Sequence, residues 1–348
     1  MKRLGICTIA LMLAGCAGAT KASSGDTTVS SSTTPTASVS LTATASAAGL
    51  SCRLPVVTWT QTAQGQVPSE GFLTYPGGQL SGDPNGGVVL DGSRYRSTAQ
   101  PYLYGGGPGA GSYDWPLGRW LPAKPRSVSP DGLHYAYSSE FGAIHVVDVA
   151  TGIDRTLKGP EGPDTVLYYA KEGVYFNHEW EGPAGPGLWL LDPATGTVQT
   201  VFSDKSVDAV GGFAAWLPDV NPADPHPVFS QYTGGNMPNE ILRRDLNGGP
   251  TVRWFYQPGK TLAVVGFDQN KHPLIVAESL GTPDTSQIWQ VPAANQGHRL
   301  YSGSQVAEVV ADDHGIWFAD QQGISLYTPT HGLQKVSTLV ADLAGTCR

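Results

Sequence analysis

The chain has 348 residues, 40% of them hydrophobic, enough for a substantial core. Only 14% are charged, while glycine (44) and proline (27) are abundant; against an average charged fraction near roughly 25% this disfavours coiled coils and helix bundles. Lys and Arg total 21 against 29 Asp and Glu, a net charge of −8 with no basic block, which argues against phosphate-driven recognition of nucleic acid.

In chain order, Lys2-Arg3 form a basic start, Ile6 to Leu13 a short apolar run, and Leu13-Ala14-Gly15-Cys16 follows. The run is too short to span a bilayer as a helix and has the pattern of an export signal. Its last four residues resemble the lipobox of bacterial lipoproteins. That resemblance implies cleavage before Cys16, diacylation of its sulfur and a new amino group open to acylation, so that acyl chains hold the mature protein on a bacterial membrane, outside the cytoplasm. An ordinary secretory signal ending at Ala17-Gly18-Ala19 is the other reading of these residues. From Ala17 to Gly49 the chain is almost entirely Ser, Thr, Ala and Gly, with Lys21 and Asp26 as its only charges. Such a segment buries too little apolar surface to offset its ordering entropy and reads as a flexible tether. The division expected is a signal over 1–15, a tether over 16–49 and a folded domain over 50–348.

Cys7 leaves with the signal and Cys16 is taken by the lipid, which leaves Cys52 and Cys347 at the two ends of the domain. Outside the cytoplasm such a pair is expected to form a disulfide; two free thiols are the alternative. A bridge requires that the ends of the fold meet.

Internal repetition explains how they would. Val147-Asp148-Val149-Ala150-Thr151-Gly152 closely matches Leu191-Asp192-Pro193-Ala194-Thr195-Gly196, and weaker copies place anchors at 114, 245, 291 and 328. The anchors recur on average about every 43 residues, inside the roughly 40–45-residue period of a four-stranded propeller blade. Four residues after each anchor the chain must turn with positive φ, and Gly118, Gly152, Gly196, Gly249, Asn295 and Gly332 stand there, the residue types that tolerate the left-handed region. Upstream lie second hairpins, Ser129-Pro130-Asp131-Gly132 before Tyr135 and Asp312-Asp313-His314-Gly315 before Ile316. The prediction is an all-β fold, a six-bladed β-propeller of four-stranded antiparallel blades with units at 70–123, 127–158, 164–203, 208–257, 261–301 and 305–340. A seventh blade follows if residues 54–69 contribute more than a closing strand.

The Ser129-Pro130-Asp131-Gly132 hairpin followed by Asp148-Val149-Ala150-Thr151-Gly152 resembles the WD40-like β-propeller repeat of the TolB type, also seen in prolyl oligopeptidases. Such propellers are scaffolds for binding proteins and for several enzyme classes. The peptidase activity is not implied, because the chain has neither a Gly-x-Ser-x-Gly elbow nor the length for a hydrolase domain; nor does the repeat match a sialidase Asp box.

In a propeller the loop between the second and third strands of a blade shares one face with the links between blades. Three of these loops in succession are long, 178–187, 231–240 and 278–287, and binding residues concentrate in such loops. The candidate surface comprises His178, Glu179, Trp180, Glu181, Tyr232, Asn236, Met237, Glu240 and Asp284. Trp180, surrounded by Gly and Pro, would suit a peptide side chain or a cell-wall sugar. The remaining histidines stand singly, no metal motif is present, and no cofactor or catalytic residue is expected. Trp115, Trp120, Trp189, Trp254, Trp289 and Trp317 fall in predicted strands and are expected to pack between blades. The expected role is a monomeric, lipid-anchored interaction or sensor module with a protein, ligand or cell-wall partner; a propeller hydrolase or lyase acting on envelope or extracellular substrates is the alternative.

Overall fold

The computed structural model describes residues 49–63, 65–86, 88–90, 93–95, 111–121, 123–138, 143–157, 164–178, 186–230, 235–279 and 285–348. The expected signal, Cys16 and the expected tether up to residue 48 lie outside them. The described chain is all β apart from one short 3-10 turn, Pro125–Ser127.

Six antiparallel sheets make six blades. Blade 1 runs from its innermost strand Asp342–Leu343 through Arg53–Thr62 and Gly65–Thr74 to Gln79–Gly82. Blade 2 has His134–Ser138, Ile144–Asp148 and Asp154–Leu157, with a bridge from Val128 to Tyr135 in the innermost place. Blades 3 to 6 begin on the inner strands Asp164–Ala170, Ala209–Gly211, Thr261–Phe267 and Val306–Asp312, and each has three more strands in sequence order. These inner strands touch one another in succession, and Val306–Asp312 touches Asp342–Leu343. The order is that of a closed ring.

The repeat signature works through the backbone. Asp148 accepts the Thr151 N–H on its carboxylate at 2.7 Å and the Gly152 N–H on its carbonyl at 2.9 Å. Asp192 repeats the turn, accepting Ala194 N–H at 2.8 Å on the side chain and Gly196 N–H at 2.8 Å on the carbonyl. All six anticipated positions have positive φ, from 59° at Asn295 to 125° at Gly249.

Blade 1 departs from the expected boundaries. Residues 53–62 and 65–74 are the two middle strands of that blade, and the closing strand comes from the C-terminus, so the count stays at six. The unit expected over 70–123 is not one blade. Its anchor hairpin, Ser112–Asp114 with Arg119–Leu121, forms a sheet of its own. Trp120 packs with Val57, Phe72 and Ala344 of blade 1, while Leu121 packs with Tyr135, Tyr137 and Val147 of blade 2. The hairpin is therefore a wedge between the first two blades.

The core consists of seams between blades. One buried cluster joins blades 2 and 3, and the next joins 3 and 4. Others join 4 and 5, 5 and 6, and 6 and 1. The six tryptophans expected in strands lie in or against these seams and the wedge, Trp115 in the wedge's turn and not in a strand, with Trp317 fully buried where blades 6 and 1 meet. Polar side chains stitch the same seams by reaching the next inner strand. Ser138 Oγ accepts Val166 N–H at 2.8 Å, Asn177 Nδ2 donates to Val207 O at 2.7 Å, Asp208 Oδ2 accepts Val264 N–H at 3.1 Å, and Ser286 Oγ accepts Val306 N–H at 3.2 Å. Each satisfies a buried backbone group that no strand pairing reaches.

Cys52 and Cys347 form the disulfide, with Cα atoms 5.5 Å apart and a sequence separation of 295. Such a bond persists in an oxidising compartment, and the protein is accordingly an extracytoplasmic propeller. Replacing both cysteines by serine is expected to lower the unfolding free energy by about 5–6 kcal/mol, the chain-entropy value for so long a loop. Denaturant melts of the two forms test this, and a loss below about 1 kcal/mol would show that strand pairing closes the ring unaided. Among the turns, Gly152→Ala meets only left-handed strain, since nothing lies within 4 Å of an added Cβ, and should cost about 1–2 kcal/mol. Gly173→Ala would also drive its Cβ into the Leu191 carbonyl oxygen and should cost clearly more in the same melts.

Candidate functional site

The long connections open on the face that carries the links between blades, here termed the top. The connection described most completely is that of blade 4, between Ala214–Asp219 and Glu240–Asp245. It is built, with its own two-stranded hairpin, Phe229–Ser230 against Gly235–Asn236. Asn239, fully buried, anchors it: its Oδ1 accepts Asn221 N–H at 2.7 Å and its Nδ2 donates to Asp224. Asp224 also accepts His226 N–H at 2.8 Å and Gly259 N–H at 3.1 Å, tying the loop to the link between blades 4 and 5. These bonds hold the Asp224 carboxyl below the ordinary carboxylate range. Leu262 N–H donates to Pro238 O at 2.8 Å, fixing the far end of the loop to the inner strand of blade 5. The hairpin carries Phe229 outward, 59% exposed, paired in register with Asn236.

The anticipated surface residues fall into three groups. Asn236 is exposed on this hairpin, and Met237 follows it half-buried, its N–H donated to Val228 O at 2.7 Å. His178 and Glu240 are strand ends rather than loop residues. His178 closes the second strand of blade 3, fully buried, with Nδ1 at 3.0 Å from Asp164 Oδ1 and Nε2 without a hydrogen bond. Glu240 is buried and faces Arg253 Nε at 2.9 Å across the sheet. Glu179, Trp180, Glu181, Tyr232 and Asp284 lie outside the described residues.

The histidines are less solitary than the sequence indicates. Five of them stand against an aspartate: His134 with Asp148, His145 with Asp154, His178 with Asp164, His272 with Asp268 and His314 with Asp312. Pairing occurs across neighbouring strands or within one turn, which linear spacing does not reveal. Among the described residues no three His, Cys, Asp or Glu side chains converge as a metal site.

The ring's interior carries a charge constellation that sequence reasoning missed. Lys124 is exposed and Arg126, Asp208, Glu308 and Asp342 are half-buried, although all stand in or beside innermost segments. Water thus reaches the ring's interior, and these groups line a channel. Arg126 first, then burial, holds Lys124 below the ordinary lysine value, opposed by Glu308. Burial lowers Arg126, opposed by Glu308 and Asp208. Burial raises Glu308, opposed by Lys124 and Arg126, with Asp342 pushing the same way as burial. Asp342 is raised by burial although Trp59 Nε1 donates to it at 2.6 Å. Cations from blade 2 thus face acids from blades 4, 6 and 1. The available signal was a single charge inside an apolar strand, as in Val306-Ala307-Glu308-Val309-Val310.

No family model and no curated protein matches the chain. Solved structures do. TolB from Acinetobacter baumannii is similar over 85% of this chain and 67% of its own, with 14% identity and a TM-score of 0.46. An oligogalacturonate lyase in complex with manganese is similar over 83% and 86%, with 11% identity and a TM-score of 0.42. A chain of the nidogen/laminin complex is similar over 84% and 97%, with 10% identity and a TM-score of 0.43. Likenesses this remote carry no activity across; the propeller assignment stands on sheet order and ring closure.

The His178–Asp164 pair makes the top of blade 3 sensitive to pH. Burial pushes the Asp164 carboxyl up to about 6 from an ordinary 3.8, opposed by the hydrogen bond and charge of His178. Between those values the folded chain holds a proton that the unfolded chain has released, so this group adds stability as pH falls through about 6 and withholds it above. Asp164→Asn keeps a hydrogen-bond acceptor and removes the charge. Thermal melts from about pH 7 to about pH 5 should show a flatter dependence in the variant than in the parent; identical slopes would assign the titration elsewhere.

Proposed function

We propose that this extracytoplasmic propeller is a lipid-anchored interaction module, held to a bacterial membrane through Cys16 and binding a protein partner with its top face over blades 3 to 5. The observation that carries this reading is the blade 4 hairpin. Its buried Asn239–Asp224 core fixes the connection in one shape while Phe229 stands 59% exposed at its edge. Large apolar side chains held in water on a rigid element suit an interface, where aromatic residues serve as anchors. Asn236 and Met237 border that anchor, and we assign Trp180, Tyr232 and Asp284 as further contact residues of the same face. The tether, about 30 residues with an rms reach of about 30 Å, places the propeller close to its membrane and leaves it free to turn this face to a partner.

A photo-crosslinking residue placed at Phe229, in cells carrying the intact lipoprotein, is expected to give an adduct of one defined mass. The same residue at Leu333, 45% exposed on the opposite face, is expected to give none. Equal products from both positions, or none from 229, would remove the top-face reading. Cys16→Ser is expected to move the protein from the membrane to the soluble extracytoplasmic fraction, and retention on the membrane would remove the anchor.

A further inference from the structure

The opposite face holds a cavity that this reading does not use. Between blades 4 and 5 a cleft of about 330 Å³ is lined by Phe213, Trp216, Arg243, Trp254, Lys271 and His272, among others. That volume is at the lower end for ligand sites, enough for a ring and one substituent. Its chemistry departs from the rest of the chain. Formal net charge is −8 overall, yet among the described residues no Asp or Glu lines the cleft while Arg, Lys and His all do. The Arg243 guanidinium lies 5.4 Å from the Trp254 ring centroid, with Asp245, which is not a lining residue, at 2.5 Å. His272 Nδ1 stands 2.9 Å from Asp268, leaving Nε2 on the far side of the ring. Lys271 makes no ion pair among the described residues. The floor is aromatic: Trp216 meets Trp254 edge to face at 5.4 Å and packs on Phe267 at 6.1 Å.

Comparison of equivalent turns singles the cleft out. At the first turns of blades 2, 3 and 6 positive φ falls on glycine alone, Gly132 within its turn and Gly173 and Gly315 where the second strand starts, paired with Ala170 and Asp312. In blades 4 and 5, the two that bound the cleft, a non-glycine residue takes it, Phe213 at φ 63° beside Gly212 at 61°, and Lys271 at φ 64°. The only other non-glycine residue with positive φ among the described residues is Asn295, a type suited to it. Phe213 follows Gly212 in a two-residue turn with both φ positive, a turn that glycine, asparagine and aspartate dominate. It is also 87% exposed. It is strained and exposed at once, so its place there does not serve stability, and strained residues of this kind mark binding sites. The two turns are close neighbours, for an added Cβ on Gly212 would stand 3.6 Å from Lys271 Cβ.

We propose that this cleft binds a small carboxylate carried on a ring, the ring against Trp254 and Phe213 and the carboxylate between Arg243 and Lys271. Planar guanidinium and free ammonium groups suit the carboxylate, and the aromatic rim suits one face of the ring.

The test titrates the intact protein with benzoate and with glucuronate, following the Trp254 indole N–H signal by NMR, assigned with Trp254→Phe. At least one probe is expected to shift the signal saturably, and which of them does so separates an aromatic ligand from a sugar. Benzamide and methyl glucuronate, lacking the charge, should bind more weakly. Arg243→Gln and Lys271→Gln should each weaken binding by about tenfold, the loss for one charge-assisted contact. Phe213→Asn should also weaken binding while leaving the melting temperature unchanged or higher, because asparagine accepts this turn. No saturable shift with either probe would overturn the proposal. So would unchanged affinity in both charge variants, or a Phe213→Asn variant that melts lower yet binds as the parent does.

Discussion

Everything else in the molecule depends on closing the ring. The innermost strand of blade 1 is Asp342–Leu343, laid against Val56 and Val57 from the other end of the domain. Around it the termini are knit by backbone bonds, Arg53 N–H to Arg348 O at 2.7 Å, Arg348 N–H to Arg53 O at 3.1 Å and Ala344 N–H to Pro55 O at 2.9 Å, beside the Cys52–Cys347 bridge. A propeller has no single core; each blade buries its faces against two neighbours, so a ring that failed to close would leave two blade faces bare. The Trp317 seam, where Tyr75 of blade 1 sits 5.7 Å from the indole of blade 6, exists only in the closed form. Closure is a long-range contact whose loop entropy must be met before any of that burial is gained, which gives the disulfide and the short terminal strand their leverage.

The closed ring also sets how the charges of the channel are spaced. Inner strands are held sideways by side-chain bonds such as Ser138 to Val166 and Ser286 to Val306, so their spacing is set by the seams and not by attraction across the opening. Arg126 consequently stands close enough to lower Lys124, and Asp342 close enough to raise Glu308 on the acidic side.

How much of this was legible follows from the range of the interactions involved. The positive-φ turns at Gly152, Gly196 and Asn295 could be read because a two-strand hairpin with an Asp anchor is decided within six residues. The wedge at 112–121 could not: its Gly118 turn has the repeat's local chemistry, and only Trp120 and Leu121, facing different blades, show that it is no blade at all. Blade 1 was obscured in the opposite way, since its long hairpin lacks the anchor and its inner strand lies some 280 residues away in sequence from its partner. The top-face connections were legible as length and composition, but the hairpin of Phe229–Ser230 with Gly235–Asn236 inside one of them was not. The burial of His178 and the pairing of Glu240 with Arg253 depend on strand register, which composition does not encode.

The two faces show how a repeated scaffold records its uses. On the top, specialisation takes the form of added chain: blade 4 carries an insertion with a polar core of its own, fastened to the next blade through Gly259 and Leu262. On the bottom of blades 4 and 5 the change is one of residue type, with Phe213 and Lys271 at positive φ where the first turns of blades 2, 3 and 6 put only glycine there. The second kind is the more telling. An insertion can persist on a surface because it costs little, whereas a bulky left-handed residue costs stability in every folded molecule. Two of these, in adjacent blades, flank the same aromatic and cationic cleft, while the first turns of blades 2, 3 and 6 are made with no non-glycine residue at positive φ.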